Sequence, residues 1–186
     1  MTFRCFGTGD PLYEAYHDDE WGNPPRPTSD ERELFERLSL EAFQSGLSWI
    51  TILRKRNGFR TAFAGFDPAV VAAFEGSDVE RLLAEPGIVR NRAKILATIT
   101  NARALLAMHE RGEKLADVFE SHRPPPRTHR LQTLDQAPAS TSESAALSKR
   151  LKGLGFTFVG PTTAYAAMQA LGYVDDHLAG CIALTN

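Results

Sequence analysis

The chain is poor in cysteine: Cys5 and Cys181 are the only two in 186 residues, too few for a disulfide-stapled secreted scaffold. A reducing cytoplasm is therefore the expected compartment. No apolar run approaches the roughly 18 residues of a membrane span, which excludes a membrane protein of the helical kind. The first residues lack the basic-then-apolar layout of a signal peptide. Neither sign of charge dominates. With 21 basic and 23 acidic residues the formal charge is −2, so the chain cannot hold nucleic acid by bulk charge, though a local basic face is not excluded. Period-two alternation is nearly absent, and residues 156–159 are the one candidate strand. No internal repeat is present. What remains, 42% hydrophobic and 24% charged, is the balance of an ordinary globular protein with a full core and at most about two compact domains.

The punctuation is helical. Thr28 and Glu31 have capping-box spacing before a helix running to about Gln44. Asp67 followed by Pro68 opens a short helix through Phe74. Ser77 and Glu80 form a second box. The turn Glu85-Pro86-Gly87 precedes a long helical pattern from Ile88 to about Glu110, with Ile88, Ile95, Ile99, Ala102 and Leu106 at helical spacing. Ser140 and Glu143 cap a helix ending near Gly153 or Gly155; Pro161 opens the next and Gly172 stops it. Residues 122–130, with Pro124-Pro125-Pro126 between basic residues, read as an exposed extended loop. The fold class is all-α.

Glu41 is the most unusual placement. It lies seven residues after Leu34 and three after Leu38, which sets its carboxylate on the apolar side of a helix. Buried acids are rare unless paired, so either a basic residue or helix terminus satisfies it, or it belongs to a site. Tyr13, Tyr16 and Trp21 precede that helix and Trp49 follows it. These rings are either plain core or the walls of a cleft for a flat, electron-poor ring, stacked on its faces and hydrogen-bonded at its edge.

His177 and Cys181, four apart on an expected C-terminal helix, can face one point, and Cys5 and His17 lie twelve apart near the other end. Together they make a possible Cys2His2 zinc site tying the chain ends together, although the spacing matches no known finger. Coincidence and a catalytic Cys–His pair are the other readings, the latter without an orienting third group. The meeting of two helices at Pro86-Gly87 would expose free backbone N–H groups beside Arg90, Arg92 and Lys94, either a phosphate grip or a plain hairpin with solvated charges. Further basic clusters occur at 54–56, 122–130 and 149–152; if several converge they would track a nucleic-acid backbone.

The blocks Arg4-Cys5, Asp10-Pro11-Leu12-Tyr13-Glu14-Ala15-Tyr16-His17-Asp18-Asp19-Glu20-Trp21-Gly22 and Leu40-Glu41-Ala42-Phe43-Gln44-Ser45-Gly46-Leu47-Ser48-Trp49 resemble the DNA-3-methyladenine glycosylase type I family. The likeness continues through Gly87-Ile88-Val89-Arg90-Asn91-Arg92-Ala93-Lys94-Ile95, Phe158-Val159-Gly160-Pro161-Thr162-Thr163 and Asp175-Asp176-His177, and so covers essentially the whole chain in order. The resemblance implies an all-α helix-hairpin-helix glycosylase that removes 3-methyladenine from alkylated double-stranded DNA in base excision repair. It implies one structural zinc ion on Cys5, His17, His177 and Cys181. It matches Glu41, Trp49 and Tyr16 to the base pocket, Gly87 to the phosphate-gripping hairpin and Leu47 to the loop that wedges into the duplex. Residues 25–160 would form the hairpin core of a single unit, a monomer, and residues 1–24 with 161–186 its zinc-binding part. The sequence departs from the family where Cys5-Phe6-Gly7-Thr8-Gly9-Asp10 is one residue short and offers Phe6 for a tryptophan, and where residues 118–121 lack another tryptophan.

Two other functions compete: a non-catalytic DNA-binding module with structural zinc, which binds DNA but releases no base, and a zinc-dependent hydrolase of small molecules, which needs an open ligand position.

Overall fold

A computed structural model describes residues 3–22 and 30–184. Among these the secondary structure is helical throughout: α1 Pro11–Asp19, α2 Glu31–Gln44, α3 Trp49–Ala62, α4 Pro68–Ala72, α5 Gly76–Ala84, α6 Arg92–Glu110, α7 Leu115–Glu120, α8 Ser142–Gly153 and α9 Pro161–Ala170, with three short 3-10 turns. No described helix is long and apolar enough to cross a membrane.

Helix α2 is the axis of the molecule. Asp30 caps it by accepting from the N–H groups of Arg32 and Glu33, while Thr28, the expected cap, lies outside the described residues. Residues 34–43 are all buried, because α2 packs against α3, α6, α7 and α9. The spacing argument for Glu41 assumed one apolar face; the helix is enclosed on every side, which buries Glu36 and Arg37 as well. Phe35, Phe43, Phe59, Phe63 and Phe66 fill the space between α2, α3 and the turn after α3, their rings 4.6–6.3 Å apart.

Several helix ends differ from the sequence expectation, for reasons of side-chain chemistry. The long helix α6 starts at Arg92 rather than Ile88, because Asn91 Oδ1 accepts from Lys94 N at 3.1 Å and caps it there. Ile88 instead plugs the core from the turn. Helix α5 opens two residues earlier than Ser77 suggested, through a reciprocal Glu75–Asp78 box. The box before α8 is Thr141–Ser144, not Ser140–Glu143. Residues 156–159 form no strand: Asn101 Oδ1 accepts from Thr157 N, and Phe158 takes a left-handed φ of 56° that no strand tolerates.

The expected C-terminal helix carrying His177 and Cys181 is also absent. After Gly172 (φ 75°) ends α9, the chain runs through turns and coil to a parallel bridge between Phe3 and Cys181. Ile182 N donates to Phe3 O at 2.9 Å, so the two ends of the described chain are joined by backbone rather than by helix packing.

Candidate functional site

Glu41 is 5% exposed, and no described residue hydrogen-bonds or ion-pairs with its carboxylate. Burial pushes its pKa up to about 8, opposed by the Arg37 guanidinium one turn earlier on α2. Its charge in turn bears on the phenols of Tyr13 and Tyr16, both shifted up by burial first and by Glu41 second. The Tyr16 ring lies 5.1 Å from Trp49 and 6.5 Å from Tyr13, and Phe6 closes the group at 4.8 Å from Tyr13 and 6.4 Å from Tyr16. Trp49 Nε1 is buried without a partner among the described residues. Among the described residues the structure thus gathers an acid and an indole donor without partners, and several rings, on α1, the end of α2 and the start of α3.

Arg37 is held from the other side. Its Nη2 donates to Glu20 Oε2 at 2.7 Å, which also accepts from Arg56 at 2.7 Å, and Arg56 continues to Glu36 at 2.8 Å. This chain fixes α1 and α3 to α2 beneath the acid. Sequence reasoning gave it no role, since Glu20, the pair Glu36 and Arg37, and Arg56 are far apart in the chain and only the fold brings them together.

Trp21 stands apart from the Glu41 group. Its ring contacts are with Phe6 at 4.9 Å, His177 at 4.8 Å and His17 at 6.1 Å. It walls the second cluster, where ligand atoms of Cys5, His17 and Cys181 all lie within 4.8 Å of one another and could hold a metal ion. Cys181 Sγ is 3.3 Å from His17 Nε2. Burial pushes the Cys5 thiol up to about 12. The fourth expected ligand, His177, lies with its ring 5.3 Å from that of His17, and its Nε2 is buried without a partner among the described residues.

Both imidazoles are oriented by carboxylates that the sequence reading passed over. His17 Nδ1 is 2.8 Å from Asp18 Oδ1, and His177 Nδ1 is 3.0 Å from Asp175 Oδ1. Arg4 holds Asp18 below its ordinary pKa, and hydrogen bonds from His177 and Arg130 bring Asp175 to about 2 against the cost of burial. Ionised acceptors require Nδ1–H donors, which leaves both Nε2 atoms as acceptors; that of His17 lies 3.3 Å from Cys181 Sγ and accepts from Cys5 N at 3.2 Å. A carboxylate beside each candidate histidine was the available signal.

The hairpin between α5 and α6 is seated on α3 by backbone contact. A Cβ at Gly58 would lie 2.4 Å from Gly87 O, so only glycine allows this approach. Lys55 Nζ donates to Pro86 O at 2.7 Å. Gly87 N donates to Glu85 Oε1 at 2.8 Å, so an anion at that amide must displace a carboxylate. Arg90 is exposed, and Arg92, also exposed, pairs with Glu80 at 2.7 Å.

Lys94 is a correction. Expected among the exposed cations, it is buried, and its Nζ donates to Phe43 O at 2.8 Å and Ser45 O at 2.5 Å. Two carbonyls at the end of α2 hold it because that end carries unsatisfied acceptors and partial negative charge. Leu47 is 42% exposed in the loop that follows.

A cavity of about 450 Å³ lies elsewhere, under Pro124-Pro125-Pro126 and against Tyr165 and Tyr173. The arginines around it are engaged by acids, Arg127 with Asp176 and Arg130 with Asp175, both at 2.7 Å, and it contains none of the Glu41 group.

A buried acid and several rings on an all-helical scaffold are an arrangement suited to holding a flat base, and comparison with known proteins gives the class. Residues 6–184 match the methyladenine glycosylase family. DNA-3-methyladenine glycosylase 1 of Escherichia coli (strain K12) is 51% identical over 182 residues, covering 96% of this chain and 95% of that protein. A crystal structure of 3-methyladenine DNA glycosylase I superposes with a TM-score of 0.90 at 50% identity, covering 97% of this chain and 98% of the other. A variant of 3-methyladenine DNA glycosylase I in complex with 3-methyladenine superposes with a TM-score of 0.88 at 34% identity, covering 98% and 97%. The chain belongs to the methyladenine glycosylase family. It is an enzyme, a DNA glycosidase of base excision repair.

Proposed function

We propose that Glu41, Tyr16 and Trp49 form the pocket in which this glycosylase holds 3-methyladenine extruded from alkylated duplex DNA, with Tyr13 on its rim and Trp21 behind it toward the Cys/His cluster. The observation that carries the assignment is the acid itself: 5% exposed, without a partner among the described residues, and close enough to bear on the phenols of Tyr13 and Tyr16, whose rings stand with Trp49. A protein does not keep such a group without a partner, and the missing partner here is cationic.

Adenine methylated at N3 carries positive charge while attached to its sugar, so it is already a good leaving group. The enzyme has to extrude it, hold it and let the glycosidic bond dissociate, with a water oxygen taking the sugar carbon. Extrusion costs a few kcal/mol and least for a damaged base. Each ring favours the cation by roughly 0.5–2 kcal/mol. Glu41, ionised, accepts from the exocyclic amine edge, a contact of roughly 1.5–3 kcal/mol to a charged acceptor. Since burial, opposed by Arg37, holds Glu41 near 8, an entering cation favours its ionised form, and a neutral adenine lacks the charge to do so. Glu41 therefore reads the base rather than activating water.

The α5–turn–α6 hairpin acts as a helix-hairpin-helix phosphate grip through Gly87, with Arg90 and Arg92 nearby, and Leu47 fills the gap left by the extruded base. Cys5, His17, His177 and Cys181 would hold a zinc ion. Four protein ligands leave no open position, so the ion would supply folding energy and no chemistry. Residues 25–160 then form the hairpin core of one unit whose ends, 1–24 and 161–186, are tied by the metal.

Incubation of the protein with methylated duplex DNA, followed by chromatography of the supernatant, tests the activity: free 3-methyladenine is expected. Salt-sensitive DNA binding with no base released identifies a non-catalytic module instead.

A further inference from the structure

The block from Phe158 to Thr163 has no part in the base pocket, the hairpin or the Cys/His cluster, yet its backbone is unusual. Among the described residues, three that are not glycine have positive φ: Ala64, Phe66 and Phe158. Phe66 is fully buried, so packing offsets its strain, whereas Phe158, with φ 56°, is 43% exposed and gains nothing comparable.

The strain is imposed from both sides. Asn101 Oδ1 accepts from Thr157 N at 2.7 Å and its Nδ2 donates to Thr157 O at 3.1 Å. Ser148 Oγ donates to Val159 O at 2.6 Å. Asn101 and Ser148 are almost wholly buried, and Val159 is fully so. Phe158 is thus a rigid, outward-pointing aromatic tip between two anchored neighbours.

Its position relative to the Leu47 loop follows from α6. Lys94 and Asn101 are seven residues apart on that helix, on one face and about 10 Å apart along the axis. Lys94 clamps the carbonyl of Ser45, at the root of the Leu47 loop; Asn101 clamps Thr157, beside Phe158. One buried polar face of one helix therefore holds two loops, each ending in an exposed apolar side chain, with anchors separated by about three base-pair steps at 3.4 Å each.

We propose that Phe158 is a second apolar contact to the DNA duplex, packing against the bases that flank the lesion while Leu47 enters the gap. The inference rests on the base-excision reading, and its occupant is DNA because the neighbouring loop on the same helix face serves that substrate. Apolar side chains that press on base steps unstack them and ease extrusion. Strain at the tip holds the ring in the docking orientation before DNA arrives, so none of that ordering is left to the binding step.

Phe158→Gly separates this role from a structural one, because glycine accepts a φ of 56° without strain. The variant is expected to melt at or above the wild-type temperature, bind free 3-methyladenine unchanged as read by Trp49 fluorescence, and excise the base from duplex DNA about tenfold more slowly in single turnover. A 2-aminopurine placed beside the lesion should brighten on binding of wild type and less with Phe158→Gly or Phe158→Ala. Excision and unstacking at wild-type level overturn the proposal, as does a slow variant that also loses thermal stability and base binding. If the unsubstituted protein releases no base, the base-excision reading fails, and the 2-aminopurine signal still decides whether Phe158 meets DNA.

Discussion

Lys94 Nζ lies 2.8 Å from the carbonyl oxygen of Phe43, joining the first turn of the hairpin helix to the last turn of the helix that carries Glu41. A cation in the first turn of a helix opposes that helix's own dipole, and no carboxylate among the described residues pairs with it. Its partners are the unsatisfied carbonyls at the end of α2 and the root of the Leu47 loop. The hairpin helix and the end of α2 that carries the proposed base pocket are therefore tied through one buried ammonium.

Removing that ammonium should disconnect them. Lys94→Met leaves the buried Phe43 carbonyl without this donor and frees that of Ser45, and is expected to cost roughly 1–3 kcal/mol in denaturant unfolding. Excision from duplex DNA should fall further than binding of free 3-methyladenine, because the ring walls do not depend on Lys94. Equal losses in both measurements would assign Lys94 to stability alone.

Glu41 gives the free protein a pH signature. Its folded pKa near 8 lies above the ordinary value of 4.5, so between these the folded state holds a proton that the unfolded chain releases. Stability contributed by the protonated form is complete below about 4.5 and is lost as pH rises toward 8. Glu41→Gln cannot titrate. The melting temperature of wild type relative to this variant should fall between pH 5 and pH 8; a constant difference would mean that Glu41 is ionised throughout.

The Cys/His cluster predicts a linked loss. Cys181→Ser should lower zinc content and melting temperature together, and chelation should destabilise wild type but not the variant. Asp18→Ala, which frees the His17 ring, should weaken zinc retention by about 10–100-fold without touching a ligand. A wild type that is metal-free and equally stable would contradict the assignment.

The helical character of the chain was legible because caps and prolines are local: Asp67 with Pro68 and Pro161 start helices where the pattern put them. Helix starts decided by competing caps were not, and Asn91 took α6 from Ile88 for that reason. Glu41 was picked out by spacing, but for an incomplete reason, since α2 is enclosed on all sides by helices distant in sequence. The inward turn of Lys94 and the raised Phe158 tip are tertiary outcomes. A lysine after two arginines reads as a solvated charge, and Phe-Thr-Phe-Val reads as a strand, until partners dozens of residues away supply the carbonyls and the clamp.

The most direct measurement is the single-turnover rate of 3-methyladenine release from methylated duplex DNA by Glu41→Gln, taken beside its affinity for unmodified DNA. An amide cannot offer the ionised acceptor, and the lost charge-assisted contact of roughly 1.5–3 kcal/mol predicts a fall of about 10- to 100-fold in rate. Affinity for unmodified DNA should stay within about twofold, because Glu41 is enclosed among the rings and meets no phosphate. Release at the wild-type rate by a well-folded Glu41→Gln would contradict the claim that this buried acid grips the methylated base.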